Sequence, residues 1–352
     1  MRTYIFCVTF CLLACGNEKT QPQPVFNLTV KYGPVRLLET PGEKGKPLAE
    51  LPAQTLLADQ NQTSPFVTPL SIQDQQFQTP WTKVITVSGQ TGWVIAAALS
   101  QLQADANDWY LNQQMRAFMG QKLITQRNTW LEKMQNPQNA LDFSNCYQEA
   151  LHLRDTLVQR LAMRTEPNEA DFRPDYSWLT AAMPGFVFQW VEGQPYLFAD
   201  YRFWGNLAQK TTQDTLDNQF INLCEQAFPT DSIESFFPVW MIQTGENTAC
   251  SRLGEGKHLA MFQHLEALYQ NPQARQAFGP NLDHFKGSLL TDMLGKNTCY
   301  WQPLDKILKE IKAIDALPYS ILSTRDHLEL KASLPMFSNP GDTKRKINAR
   351  NG

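Results

Sequence analysis

The sequence predicts an α+β protein, a small β-domain followed by a larger all-helical domain over residues 102–334. Three observations predict it. Between about Val25 and Ser100, short runs rich in β-branched residues alternate with turn residues. From about Leu102 onward, apolar residues recur at three- and four-residue steps, the period of one helix face. The length of 352 residues fits two domains, and a 42% hydrophobic content with 20 Phe and 9 Trp supplies a real core, which excludes a disordered chain.

The β elements come first. Runs at Leu28–Tyr32, Val35–Leu38, Gln54–Ala58, Trp81–Val87 and Thr91–Ala96 read as strands, and Pro41-Gly42 and Ser88-Gly89 are turn chemistry. Residues 60–79, Gln-rich and holding Pro65 and Pro69, read as a long loop. In 107–135, Leu111, Met115, Phe118, Met119, Leu123, Trp130, Leu131 and Met134 form one apolar stripe and predict a helix. A second helix is predicted near 140–165, before Pro167. A third is predicted near 212–227, with Thr211-x-x-Asp214 as its cap and Pro229 as its stop. Asp231-x-x-Glu234 reads as a capping box opening a fourth, and helices near 256–270, 273–294 and 303–315 follow. The aromatic-dense stretch 174–206 takes no clear period; it reads as core or, with Arg173, Asp175 and Arg202, as a pocket lining. The polar end, 335–352, with Lys344, Arg345, Lys346 and Arg350, reads as a disordered tail.

The N-terminus carries a leader. Met1-Arg2 precedes an apolar run from Ile5 to Leu13, shorter than the roughly 20 residues a membrane span needs. It ends in Leu12-Leu13-Ala14-Cys15, which resembles the bacterial lipobox. That resemblance implies cleavage of residues 1–14, lipid (palmitate included) on Cys15, and a membrane-tethered chain in the cell envelope. Residues 15–26 are then a lipidated spacer. Gly16 in place of an aspartate after the cysteine points to the outer membrane, facing the periplasm or the surface. Loss of Arg2 with the leader takes the formal charge from −3 to −4, which gives no electrostatic footprint for nucleic acid.

Of seven cysteines, Cys7 and Cys11 leave with the leader and Cys15 takes lipid. An even remainder in an oxidising compartment predicts disulfides among Cys146, Cys224, Cys250 and Cys299. Sequence does not choose the connectivity; the preferred pairing is Cys224–Cys250, the nearest pair, with Cys146–Cys299. None of these has the spacing of a zinc pair, and no metal or cofactor is implied.

Residues 27–100 resemble the bacterial type of Src-homology-3 (SH3) domain. The resemblance rests on Val35-Arg36-Leu37-Leu38 with the loop to Lys46, on Pro47–Gln54, and above all on Trp81–Val84 followed by Ser88-Gly89-Gln90-Thr91-Gly92-Trp93-Val94. Ala53 stands where the family often has glycine, and the 60–79 insert is longer than usual. It implies a small closed barrel with an aromatic groove for a peptide, peptidoglycan or an envelope protein. Trp81, Trp93 and Tyr32 are the groove candidates; for Trp93 the balance lies with core packing, and for Trp81 it is even.

Enzyme signatures are absent from the sequence. His258 and His264 lack the His-Glu-x-x-His spacing, Ser251 and Lys257 do not form Ser-x-x-Lys, and Gly254–Lys257 lacks the spacing of a phosphate-binding loop. Cys146 with His258 downstream has no nucleophile context. The expected function is therefore non-catalytic ligand binding at the envelope. The competing expectation is a cell-wall hydrolase with its site in the helical domain and the barrel as targeting module.

Overall fold

The computed structural model describes residues 24–72, 75–102, 106–163, 176–211, 213–245, 248–295, 299–338 and 346–351. Cys15 and residues 1–14, read as a leader, lie outside them, as do Arg173, Asp175, Lys344 and Arg345. The chain divides into two units, one made of the chain up to Gln62 with Trp81–Ala106, the other of Thr63–Pro80 with Asn107 onward.

The first unit is a curled antiparallel sheet. Its strands are β1 (Phe26–Val30), β2 (Val35–Leu38), β3 (Pro47–Leu51), β4 (Leu56–Ile72), β5 (Gln75–Thr86), β6 (Thr91–Ile95) and β7 (Leu99–Gln101), in the order β3-β2-β6-β5-β4-β1-β7. Period-two alternation turns Leu28, Val30, Leu37, Leu57, Val84 and Val94 into the curl, where all are buried. Gly92 lies opposite Val84 on that inner face. A Cβ there would stand 2.7 Å from the Leu37 Cγ, so glycine lets β6 and β2 close on each other. The β5–β6 turn is held by Thr86 and Gly89, whose amides bond Gln90 and Thr86 carbonyls, with Gly89 at φ +83°.

Residues 60–72 and 75–79 are not a loop: they are the outer parts of β4 and β5. Glutamines tolerate a solvated strand, and Pro65 and Pro69 are exposed. The pairing of β1 with β4 covers Leu56–Ala58, inward of both prolines. This outer segment belongs to the second unit. There Thr63 donates to Gln113 (2.5 Å), Gln114 donates to the Gln78 carbonyl (3.1 Å), and the Tyr176 hydroxyl donates to Gln78 Oε1 (2.7 Å).

The second unit holds α1 (Ala106–Met134), α2 (Ala140–Ala162), α3 (Trp178–Ala182), α4 (Tyr201–Ala208), α5 (Leu216–Ala227), α6 (Lys257–Tyr269), α7 (Pro272–Met293), α8 (Leu304–Asp315) and α9 (Thr324–Ser338). It is not all-helical, as two hairpins interrupt it: β8 (Phe186–Val191) with β9 (Gln194–Ala199), and β10 (Met241–Gly245) with β11 (Thr248–Ser251). Glu192 and Gly193, both at positive φ, make the tight turn of the first. The described part of the aromatic stretch, from Tyr176 on, is thus short helix, hairpin and α4 in succession. α1 breaks at Gly120 (φ 70°, ψ 163°), a conformation reserved for glycine, and the Met119 carbonyl there accepts from Arg160.

The core of this unit is aromatic. Trp204 meets Tyr147 edge-on at 4.9 Å, and Phe220 stacks on Phe278 at 4.3 Å. The indoles find partners: Trp204 donates to the Gly185 carbonyl (2.9 Å) and Trp130 to that of Cys146 (3.0 Å). Burying each such ring contributes about 1.5–3 kcal/mol.

Three further expectations are corrected here. Asp231 and Glu234 open no helix. Asp231 and Ser232 take left-handed φ, and the Glu234 carboxylate instead accepts from the Ala199 amide and from Arg154. The disulfide is Cys250–Cys299, while Cys146 and Cys224 are free and buried. The reason is topological: Ser251 bridges Tyr300 in parallel, which sets Cys250 beside Cys299 with Cα atoms 4.6 Å apart. The end of the chain is not wholly a disordered tail. α9 runs to Ser338, Tyr300 donates its amide to the Lys346 carbonyl (2.8 Å), and Ala349 donates back to Tyr300 (3.1 Å).

Two depressed carboxylates set an acid limit. Burial opposes the charge of Glu266. The Ser320 hydroxyl and amide and the Ile321 amide donate to it at 2.6, 2.9 and 3.0 Å, which outweighs burial and holds its carboxyl below the usual range. Asp326 is held low in the same way, against burial, by Ser323 and Lys286. Asp217, pushed up by burial, has the opposite sign. A lowered folded pKa gives stability that is present above the unfolded value and lost as pH falls through the folded one. The melting temperature is therefore expected to fall as pH drops below about 4.5, the ordinary value for glutamate, and Glu266→Gln is expected to flatten that slope. Parallel acid slopes for the two proteins would contradict it.

Candidate functional site

The three aromatic candidates of the first unit take different places. On β5 and β6, Trp81 pairs with Ile95 and Lys83 with Trp93, so the two tryptophans are diagonal neighbours on the sheet face opposite that of Val84 and Val94. Trp81 is 6% exposed and acts as core. Trp93 is half-buried beside Lys83 and across from Leu38 of β2. Tyr32 lies apart from them in the β1–β2 connection, half-buried, with its amide on the Ala98 carbonyl (3.2 Å) and the Lys31 ammonium 4.7 Å from its ring centre. The cation–π contact stiffens that loop.

The second unit contains a cleft of about 730 Å³, which is ligand-sized. Two helices supply facing walls. α2 presents Gln148, Leu151, His152 and Asp155, and α7 presents Asn281, His284, Phe285 and Ser288, both at helical three- and four-residue spacing. Gln148 Nε2 donates to Asn281 Oδ1 and ties the walls together. Tyr147, Tyr201, Phe220 and Trp240 are its buried aromatic lining, while Phe228 and Phe285 are half-buried and Phe236 is 49% exposed.

The charges of the cleft are largely internal. Arg154 bonds Glu234 at 2.9 Å and Asp155 at 2.8 Å; burial alone would lower its pKa, but these carboxylates raise it. Asp292 meets the buried His258 Nε2 at 3.1 Å, while His258 Nδ1 has no partner. Burial, reinforced by nearby carboxylates, pushes the Cys224 thiol well above its ordinary value. Burial pushes Tyr147 and Tyr201 well up too, reinforced at Tyr147 by Cys224 and Glu234 and at Tyr201 by Tyr147, Cys224 and Glu234. Cys146, outside the cleft, is also raised, mainly by burial. These groups stay protonated near neutrality and act as packing and hydrogen-bonding groups. Among the described residues no cluster of three His, Cys, Asp or Glu side chains could hold a metal ion, and no helix is long and apolar enough to cross a membrane.

The pocket expected around 174–206 is not this cleft. Only Tyr201 of that stretch lines it, and Arg202 is exposed and bonded to Asp200. His152 and His284, which no motif in the sequence marks, stand on the facing walls of the cleft. The available signal was the stripe of mixed polarity on α2 and α7, which an apolar period does not register. Comparison with protein-family models, with curated proteins and with solved structures finds no match to this chain.

Proposed function

We propose that this chain is an exported lipoprotein, tethered to a bacterial envelope membrane through Cys15, whose first unit is an SH3-like module that binds a peptide or protein ligand. The observation that carries the binding role is the placement of Trp93. It lies within the Gly92-Trp93-Val94 strand yet is only half-buried, beside Lys83, and so keeps part of its ring surface accessible. An indole at such a place offers apolar area and a polar edge together. The Cys250–Cys299 disulfide supports an oxidising compartment and therefore export. The competing hydrolase reading loses its cysteine form, because Cys146 and Cys224 are buried and their thiols are held protonated.

Sedimentation with isolated peptidoglycan tests the module. The full chain is expected to pellet, and Trp93→Ala to need at least about tenfold more polymer for the same pelleting, a loss of about 1.4 kcal/mol. Equal pelleting of the two proteins, with matching melting curves, would remove Trp93 from the ligand surface. If neither pellets, peptidoglycan is not the ligand.

A further inference from the structure

We infer that the cleft of the second unit is a binding site for a short uncharged oligosaccharide. The inference stands independently of the lipid anchor and of the barrel ligand. Three observations converge on it. The first is charge: Arg154, Glu234 and Asp155 are joined in one network, and Asp292 is held by His258. A charged ligand that bonds Arg154, Glu234 or Asp292 competes with the partner that group already has.

The second is the polar equipment of the walls. The bond between Gln148 Nε2 and Asn281 Oδ1 does not use Gln148 Oε1, an acceptor, or Asn281 Nδ2, a donor, and the Ser288 hydroxyl lies on the same wall of α7. Paired amides and hydroxyls of this kind match vicinal hydroxyls and acetamido groups, which both donate and accept. The two helical walls present side chains and no strand edge, so an extended peptide backbone would find no ladder of main-chain bonds along them.

The third is the aromatic surface. Phe236, 49% exposed, and the half-buried Phe285 retain surface in the cleft. Phe236 is braced edge-on by Tyr196 at 4.9 Å and Phe198 at 5.2 Å, so its ring is held in place before any ligand arrives. A sugar ring has one face of C–H groups and a rim of hydroxyls. The first packs on a fixed aromatic ring and the second meets the amides; a few oriented polar groups on an apolar lining are what confer specificity in such a site.

The test is calorimetric titration of the full chain, in a zwitterionic detergent free of sugar, with tri-N-acetylchitotriose. Saturable binding is expected. Phe236→Ala, an exposed position that leaves the core intact, and Asn281→Ala are each expected to weaken it at least tenfold, with Ser288→Ala weakening it less. Trp93→Ala is expected to leave it unchanged, which separates this site from the module on the first unit. Absence of binding would overturn the inference. So would equal affinity in Phe236→Ala and Ser288→Ala with native melting curves, or tighter binding of the deacetylated, cationic trisaccharide.

Discussion

Replacing Glu310 with alanine is expected to cost about 3 kcal/mol or more of stability, the largest effect of any single side-chain truncation argued for this protein. Glu310 sits on α8, buried, and its carboxylate accepts from the amides of Gly254 (2.5 Å), Gly256 (3.0 Å) and Leu259 (3.0 Å). These are donors at the start of α6, whose own cap residue, Gly256, has no side chain to serve them. One distant carboxylate therefore caps the helix, and its charge complements the positive end of the helix dipole. Alanine would leave three amides without that acceptor, whereas Glu310→Gln keeps one carbonyl oxygen and should lose less. α6 also carries His258, which holds Asp292 at the cleft, so a frayed α6 would reach the candidate site as well. Denaturant titration measures this, and a loss below about 0.5 kcal/mol, an ordinary surface effect, would contradict the capping role.

Removing the disulfide is expected to cost about 4 kcal/mol, from the loop entropy of a 49-residue separation. The double variant Cys250→Ala/Cys299→Ala should lose this stability and become insensitive to reductant, while the wild-type chain should fall toward it on reduction. Cys146→Ala and Cys224→Ala remove buried thiols only and should leave the reductant effect intact. Peptide mapping without reduction gives the direct check: a Cys224–Cys250 or Cys146–Cys299 linkage would contradict the structure. The same bond fixes the β11 hairpin to the segment that Lys346 bridges, so its loss should also release the chain's end.

The parts of the fold that were legible in the sequence are those set by near neighbours. Val35–Leu38 and Thr91–Ile95 match the expected strands because alternation and flanking turn residues act within a few positions. The helix over 273–294 matches, and the one over 107–135 matches except where it breaks at Gly120, because helical periods are local. What was not legible depends on distant partners. Gln-rich β4 and β5 look like a loop until β5 pairs along them. Asp231 and Glu234 look like a cap until Arg154 and the Ala199 amide claim the glutamate. The cysteine pairing followed from a parallel bridge between Ser251 and Tyr300, which no spacing rule contains. The cleft unites α2, α7 and residues 234–241, far apart in sequence, and its polar walls have no motif.

The central claim is that this is a lipid-anchored exported protein, and the mass of its N-terminal peptide tests that most directly. Purified from the membrane fraction of producing bacteria and digested, the chain should yield an N-terminal peptide that begins at Cys15 and carries the mass of its acyl chains, and Cys15→Ala should abolish both the added mass and the cleavage. An N-terminal peptide that retains residues 1–14, or an unmodified Cys15 at the mature end, would contradict the claim.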